Sequence, residues 1–265
     1  MGSDDDMKKN FNENLKAIEY HKELNDNLKL IRVYFEVTSS FIYDVVKSRR
    51  FEGEKLLEIG SGATVHNIAS ASAYFPIIVQ SEFVEDNREA LKDWVKGNSP
   101  LDWSEFLRMP ARLEDFKGDV HEVVAKLEDR IRSSVKAVVH ADILTDGVLN
   151  LDEIPDEATP PYDLIISILC LEVPCANFGS FVDVLKRLNK LLRKGGGIIM
   201  SSFIDCDKWI VGTKEFPNLK ISMKNILKAM DMAGFGNHDV KSFSPLNSTN
   251  PPPYGGFYYL VSEKL

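Results

Sequence analysis

Leu56-Leu57-Glu58-Ile59-Gly60-Ser61-Gly62-Ala63-Thr64-Val65 runs from an apolar, strand-like segment through a glycine turn into a helix-like segment. Such a turn lets a ligand approach the backbone closely and meet the free N–H groups at a helix start. The ligands that suit it are nucleotides and nucleoside cofactors.

Outward from this turn the chain alternates. Short apolar runs at 55–59, 76–81, 135–140, 162–168 and 197–203 read as strands, and 64–74, 85–96 and 178–193 read as helices. That alternation predicts a parallel sheet with helices on both faces. A last helix near 221–233 precedes strands at 238–243 and 257–263, with SPLNSTNPPPYGG between them, so a hairpin with at least one antiparallel strand should close the sheet. Residues 10–50 carry apolar side chains at helical intervals and read as two helices, a cap before the first strand. The stretch 98–134, with a charged helix at 119–132, is an insertion longer than a crossover needs.

At 265 residues and 44% hydrophobic content the chain can bury a sizeable core. Its net charge of -8 offers no generic attraction to phosphate backbones, so nucleic acid is not an expected partner. Cys170, Cys175 and Cys206 lack metal-type pairing and read as reduced thiols; no metal is expected. The polar start MGSDDDMKKN, read as a tag remnant or frayed leader, has no apolar signal core, and no run reaches bilayer length. A cytoplasmic monomer without a membrane partner is the expectation.

In an open parallel sheet ligands sit beyond the carboxyl ends of the strands. The residues there are Gly60-Ser61-Gly62-Ala63-Thr64, then Glu82 about twenty residues on, then Ala141-Asp142-Ile143, then Cys170-Leu171-Glu172-Val173. A glycine turn with a ribose-binding carboxylate suits NAD as well, but Val65 holds the position of the third glycine of that fingerprint. Leu191-Leu192-Arg193-Lys194-Gly195-Gly196-Gly197-Ile198, a helix capped by glycines and leading into the fifth strand, resembles the corresponding stretch of the S-adenosylmethionine-dependent methyltransferase fold.

The segments EIGSGATV, SEFVEDNREALKDWV, LDWSEF, HADI, SILCLEVPC, LLRKGGGIIM and KWIVGTKEF resemble the small-amine N-methyltransferase family of nicotinamide, phenylethanolamine and indolethylamine N-methyltransferases. The resemblance covers most of the chain after about residue 50; the N-terminal helices match poorly. It implies a Rossmann-like class I α/β fold, with a seven-stranded, mostly parallel sheet and an antiparallel C-terminal strand. It divides the chain into a helical cap or lid at 1–50 and a methyltransferase domain at 51–265. The implied cofactor is S-adenosyl-L-methionine, leaving as S-adenosyl-L-homocysteine, and the implied reaction is N-methylation of a small amine or pyridine. A catalytically reduced cofactor sensor and an NAD-dependent oxidoreductase are the alternatives.

Carried over by position, Gly60, Ser61, Gly62 and Thr64 would line the methionine and ribose end of the cofactor. Glu82, where the family usually has Asp, would take the ribose hydroxyls beside Asn87. Asp142 and Ile143 would bracket the adenine, and Ile168 and Cys170 would lie near the sulfonium. Glu172 corresponds to the acidic residue facing the substrate and is the candidate catalytic group; Tyr20 and Trp209 are candidates for the substrate wall. The chain departs from the family in its lid, where Tyr20 and Tyr34 are the available tyrosines. It departs again at Ser202, which stands at the nicotinamide-type acidic position. Asn250-Pro251-Pro252-Pro253-Tyr254 reads as a stiff loop between the last two strands rather than as a catalytic clamp.

Overall fold

Apolar strands that repeatedly return through helices can bury both faces only by stacking side by side, and this chain does so. The computed structural model describes residues 4–114, 118–245 and 254–265, so Asn250–Pro253 of the proline-rich loop lie outside the described residues. Helices α1 (Asp4–Asn14), α2 (Ala17–Asp26) and α3 (Leu28–Lys47) precede strand β1 (Lys55–Ile59) and then β2 (Ile77–Glu82). Helices α4 (Glu85–Val95), α5 (Ser104–Leu113) and α6 (Val120–Ser134) lead to β3 (Val135–Asp142), β4 (Val148–Leu149) and β5 (Tyr162–Ile168). The remainder is α7 (Phe178–Leu191), β6 (Leu192–Ile204), β7 (Lys208–Val211), β8 (Lys214–Pro217), α8 (Met223–Met232), β9 (Phe235–Phe243) and β10 (Gly256–Lys264).

The main sheet runs β4-β3-β2-β1-β5-β6-β10-β9. From β3 to β6 all pairings are parallel, and β10 is antiparallel to both its neighbours. The expected seven strands are there; the two-residue β4, antiparallel to β3, makes an eighth. One face packs against α3, α4, α5 and α6 through Phe35, Phe41, Leu91, Phe106 and Ile131, and the other against α7 and α8 through Phe181, Leu185 and Ile226. Strand order reverses at β1, flanked by β2 on one side and β5 on the other, and this opens the crevice where ligands bind.

Four local expectations are corrected. Three helices rather than two occupy the N-terminal region, because Asn27 breaks the pattern and donates from its side chain to the Glu23 carbonyl at 3.0 Å. Residues 64–74 are not an α-helix but turns ending in a single 3₁₀ turn at Ala71–Ala73. Side chains capture a carbonyl the helix would use: Ser72 Oγ donates to Ala69 O at 2.6 Å and Arg130 Nη2 donates to it at 3.0 Å. The glycines of RKGGG do not cap α7, which ends at Leu191; Lys264 Nζ donates to the carbonyls of Asn189 and Leu192 instead, and the glycines are already strand. Finally, the segment after β6 folds back as a small hairpin, β7 against β8, which periodicity over four residues could not reveal.

Asp163, near the start of β5, ties three strands together. Its Oδ2 accepts from the backbone N–H groups of Glu54 and Lys55 at 2.9 Å each, and its Oδ1 accepts from Arg193 Nε at 2.5 Å. Replacing Asp163 with Ala strands these donors at the sheet's lower edge. Urea denaturation of Asp163→Ala should show a loss of about 1–3 kcal/mol.

Candidate active site

The glycine turn after β1 is pinned to β2. The N–H groups of Gly60 and Ser61 both donate to the Ser81 carbonyl, at 2.9 and 3.0 Å, and Thr64 Oγ1 donates to Ser61 O at 2.8 Å. Gly60 and Gly62 adopt φ of 69° and 59°, the left-handed region that favours glycine. At Gly60 a Cβ would lie 2.0 Å from Cys170 Sγ, so the turn also depends on close approach to the loop after β5.

Glu82 closes β2 directly beside this turn. Its Oε2 accepts from Gly62 N–H and its Oε1 from Val84 N–H, each at 2.8 Å, and Asn87 Nδ2 donates to Oε1 at 3.5 Å. Burial pushes the carboxyl's pKa up, and these donors oppose the shift. A carboxylate offers about four lone-pair positions, two on each oxygen, so Oε2, which accepts only from Gly62, retains one for a further donor. Asp142, at the end of β3, accepts from Leu144 N–H at 3.0 Å and from Lys8 Nζ of α1 at 2.5 Å.

These groups border a cavity of about 150 Å³. Gly60, Ser61, Gly62, Thr64, Glu82, Asn87, Asp142, Ile143, Ile168 and Cys170 all line it, as do Tyr20 and Trp209. Tyr20 lies over the turn, with its Cε1 3.5 Å from where a Gly62 Cβ would be. Burial raises its phenol to about 12, so it is a neutral donor. Tyr34, the other lid tyrosine, is instead buried against the sheet, its hydroxyl 3.1 Å from Ser201 Oγ. Glu172 and Ser202 stand outside the cavity lining. The Glu172 carboxylate lies behind Cys170 and Val173, which do line it, and accepts from Tyr258 Oη at 2.5 Å.

The sequence reading missed part of the wall. Met7, Lys8, Phe11 and Leu15 of α1 and its following turn line the cavity, and Phe11 stacks on Phe216 and Trp209 at centroid distances of 5.0 and 6.3 Å. The signal was present: Met7, Phe11 and Leu15 recur every four residues on an otherwise polar helix. His66 and Asn67 also line the cavity. His66 packs among Phe35, Trp103 and Phe106, and burial lowers its pKa to about 3, which keeps the imidazole neutral. No feature of its spacing marks it. Beneath the turn, Glu58 Oε2 accepts from Gln80 Nε2 at 2.8 Å; burial pushes Glu58 up to about 7 against this donation.

The fold is the Rossmann-like class I fold of S-adenosylmethionine-dependent methyltransferases. The fold matches magnesium protoporphyrin IX methyltransferase from Synechocystis PCC 6803, solved with bound cofactor, at a TM-score of 0.59 and 13% identity, covering 100% of this chain and 98% of that one. It also matches an S-adenosylmethionine-dependent methyltransferase from Clostridium acetobutylicum at a TM-score of 0.56 and 11% identity, covering 92% and 98%. Within that class the chain belongs to the NNMT/PNMT/TEMT family, whose sequence profile matches residues 2–265. Indolethylamine N-methyltransferase of Oryctolagus cuniculus is 28% identical over 80% of this chain and 78% of its own length. Nicotinamide N-methyltransferase of Homo sapiens is 26% identical over 81% and 78%, and phenylethanolamine N-methyltransferase of Rattus norvegicus 27% over 72% and 65%. These relatives favour neither the oxidoreductase nor the sensor reading.

The residues present fit S-adenosylmethionine as cofactor. At Gly62 the turn leaves room that a Cβ would fill, Glu82 retains an acceptor position on Oε2, and the buried Asn87 Oδ1 and Ser61 Oγ lack hydrogen-bond partners within the protein. No helix of the described residues is long and apolar enough to cross a membrane.

Two measurements probe this arrangement. Calorimetry should show S-adenosylhomocysteine binding weakened by about 1–3 kcal/mol in Glu82→Ala, the scale of hydrogen bonds to a charged group. For Glu58, a carboxyl that holds its proton more tightly folded than unfolded gives a contribution complete below about pH 4.5 and lost as pH rises through about 7. Glu58→Gln should therefore gain on wild type by roughly 2–3 kcal/mol between pH 5 and pH 8 in urea denaturation.

Proposed function

We propose that this chain transfers the methyl group of S-adenosylmethionine to the nitrogen of a small amine or pyridine. The observation that carries the reading is the cavity that joins the glycine turn, Glu82 and Asp142 to the aromatic pair Tyr20 and Trp209. In it, Gly60, Ser61, Gly62 and Thr64 hold the methionine and ribose end, and Glu82 with Asn87 takes the ribose hydroxyls. Asp142 and Ile143 flank the adenine, and Ile168 and Cys170 lie near the sulfur. Tyr20 and Trp209 form the acceptor wall, with Ser202 and Glu172 behind it.

When bound, the cofactor supplies a methyl group already activated on a sulfonium. What remains for the protein is orientation and exclusion of water, effects worth up to about 7–11 kcal/mol. The cap supplies exclusion: Met7, Phe11 and Leu15 cover the cavity, and Phe11 is held by Trp209 and Phe216. Residues 1–50 serve as the lid of the 51–265 domain in this reading. Glu172 attracts a cationic acceptor and takes the proton that blocks its lone pair. The acidic balance of the chain supports a small-molecule partner rather than nucleic acid, and we place the enzyme in the cytoplasm as a monomer.

Glu172→Gln separates acceptor classes. A primary or secondary amine must lose a proton before attack, so kcat/KM should fall by about 10²-fold or more. A pyridine nitrogen is already free, and the loss should be smaller and appear mainly in KM. Wild-type rates on every accepted substrate in a screen with labelled cofactor would remove Glu172 from the acceptor site.

A further inference from the structure

Glu172 is 1% exposed, and its carboxylate is held by a hydroxyl. Tyr258, fully buried on β10, donates to Oε1 at 2.5 Å, and the Ser202 hydroxyl on β6 lowers the carboxyl's proton affinity in the same direction. The antiparallel register makes Tyr258 and Ser202 direct partners, so the sheet itself sets two hydroxyls side by side beneath one carboxylate. The Glu172 carbonyl also accepts from Leu219 N–H at 3.1 Å, which fixes the loop after β5 to the segment after β8. A buried carboxylate without donors is expensive to keep ionised, and packing alone would be served better by an apolar side chain.

We propose that Tyr258, assisted by Ser202, is the positioning residue of Glu172: its hydroxyl fixes the carboxylate's orientation and keeps it ionisable behind the acceptor wall. The proposal rests on the reading of Glu172 as the acceptor-side carboxylate. Tyr258 touches no reacting atom and acts only through Glu172. The titratable groups facing Glu172 are Tyr258 from β10, Cys170 from its own loop and Cys206 from the loop after β6, and burial raises the pKa of all three. They are therefore neutral near pH 7, and the change of charge in this cluster belongs to Glu172. A hydroxyl that donates to the ionised form lowers proton affinity, so its removal must raise the pKa of Glu172.

The test is Tyr258→Phe, read in two ways. A carbon-13 NMR titration of glutamate carboxyls, with the Glu172 signal identified by its loss in Glu172→Gln, should show the Glu172 pKa higher by about one unit. On the best acceptor among 2-phenylethylamine, tryptamine and nicotinamide, kcat should fall about tenfold or more while S-adenosylhomocysteine affinity stays within about twofold. For an amine acceptor the acidic limb of kcat/KM should move to higher pH by the same amount. An unmoved carboxyl titration, or a lower melting temperature with kcat unchanged, overturns the proposal. Should Tyr258→Phe not fold, Ser202→Ala removes the hydroxyl paired with Tyr258 across β6 and β10 and carries the same expectations with a smaller shift. Normal turnover in Glu172→Gln would instead defeat the underlying reading, whereas a slow Glu172→Gln beside an unaltered Tyr258→Phe would defeat the positioning role alone.

Discussion

The hydrogen bond from Gly62 N–H to Glu82 is the contact around which the site is built. It joins the turn after β1 to the end of β2, and the same carboxylate accepts the Val84 N–H at the threshold of α4. One buried carboxylate thereby satisfies two backbone donors that would otherwise face an apolar crevice. The positive φ at Gly60 and Gly62 supplies the curvature, and the absence of a Cβ at Gly60 lets the Cys170 loop close against it. Remove any part and both the turn and the loop after β5 lose their seat.

The electrostatics of the crevice follow from who does the donating. Glu82 is held by backbone and amide N–H groups and Glu172 by a hydroxyl; among the described residues the one ion pair bordering the cavity is Lys8 with Asp142. His66 is neutral and adds no opposing charge. The cations nearby are already engaged, Lys8 by Asp142 and Arg88 by the carbonyls of Glu82 and Phe83.

Much of the fold was legible because period and punctuation agreed along the chain. The apolar runs at 55–59 and 162–168 are β1 and β5, since continuous Leu and Ile runs bounded by polar turns have few other ways to bury two faces. Every residue expected at the cofactor borders the cavity because strand ends are fixed by sheet topology. The failures have a common cause in tertiary capture. Ser72 and Arg130 take the Ala69 carbonyl of the expected helix at 64–74, and Lys264, distant in sequence, caps α7 where glycine was expected. Glu172 could be located at the end of β5 but not aimed, because its direction is set by Tyr258 on a strand eighty-six residues away. His66 was invisible because its aromatic surroundings come from α3 and α5 and the residue just before it.

The cap is not fastened uniformly. Through Phe35, Phe41, Ile42 and Val46, α3 belongs to the main core; α2 reaches it through Ala17 and Leu24, and α1 holds on through a small apolar cluster and polar contacts. The polar contacts of α1 and α2 include Lys8 with Asp142, Asn12 with the Glu85 N–H, the Ala17 N–H with Asp86, His21 with the Asp102 carbonyl, and the Gly212 N–H with Glu23. Segments with few buried apolar contacts open at lower free energy than the core they cover. Asn27 therefore marks a change of fastening: the chain before it is held in part by an ion pair, Lys8 with Asp142, that salt weakens, while the chain after it is held by the apolar core.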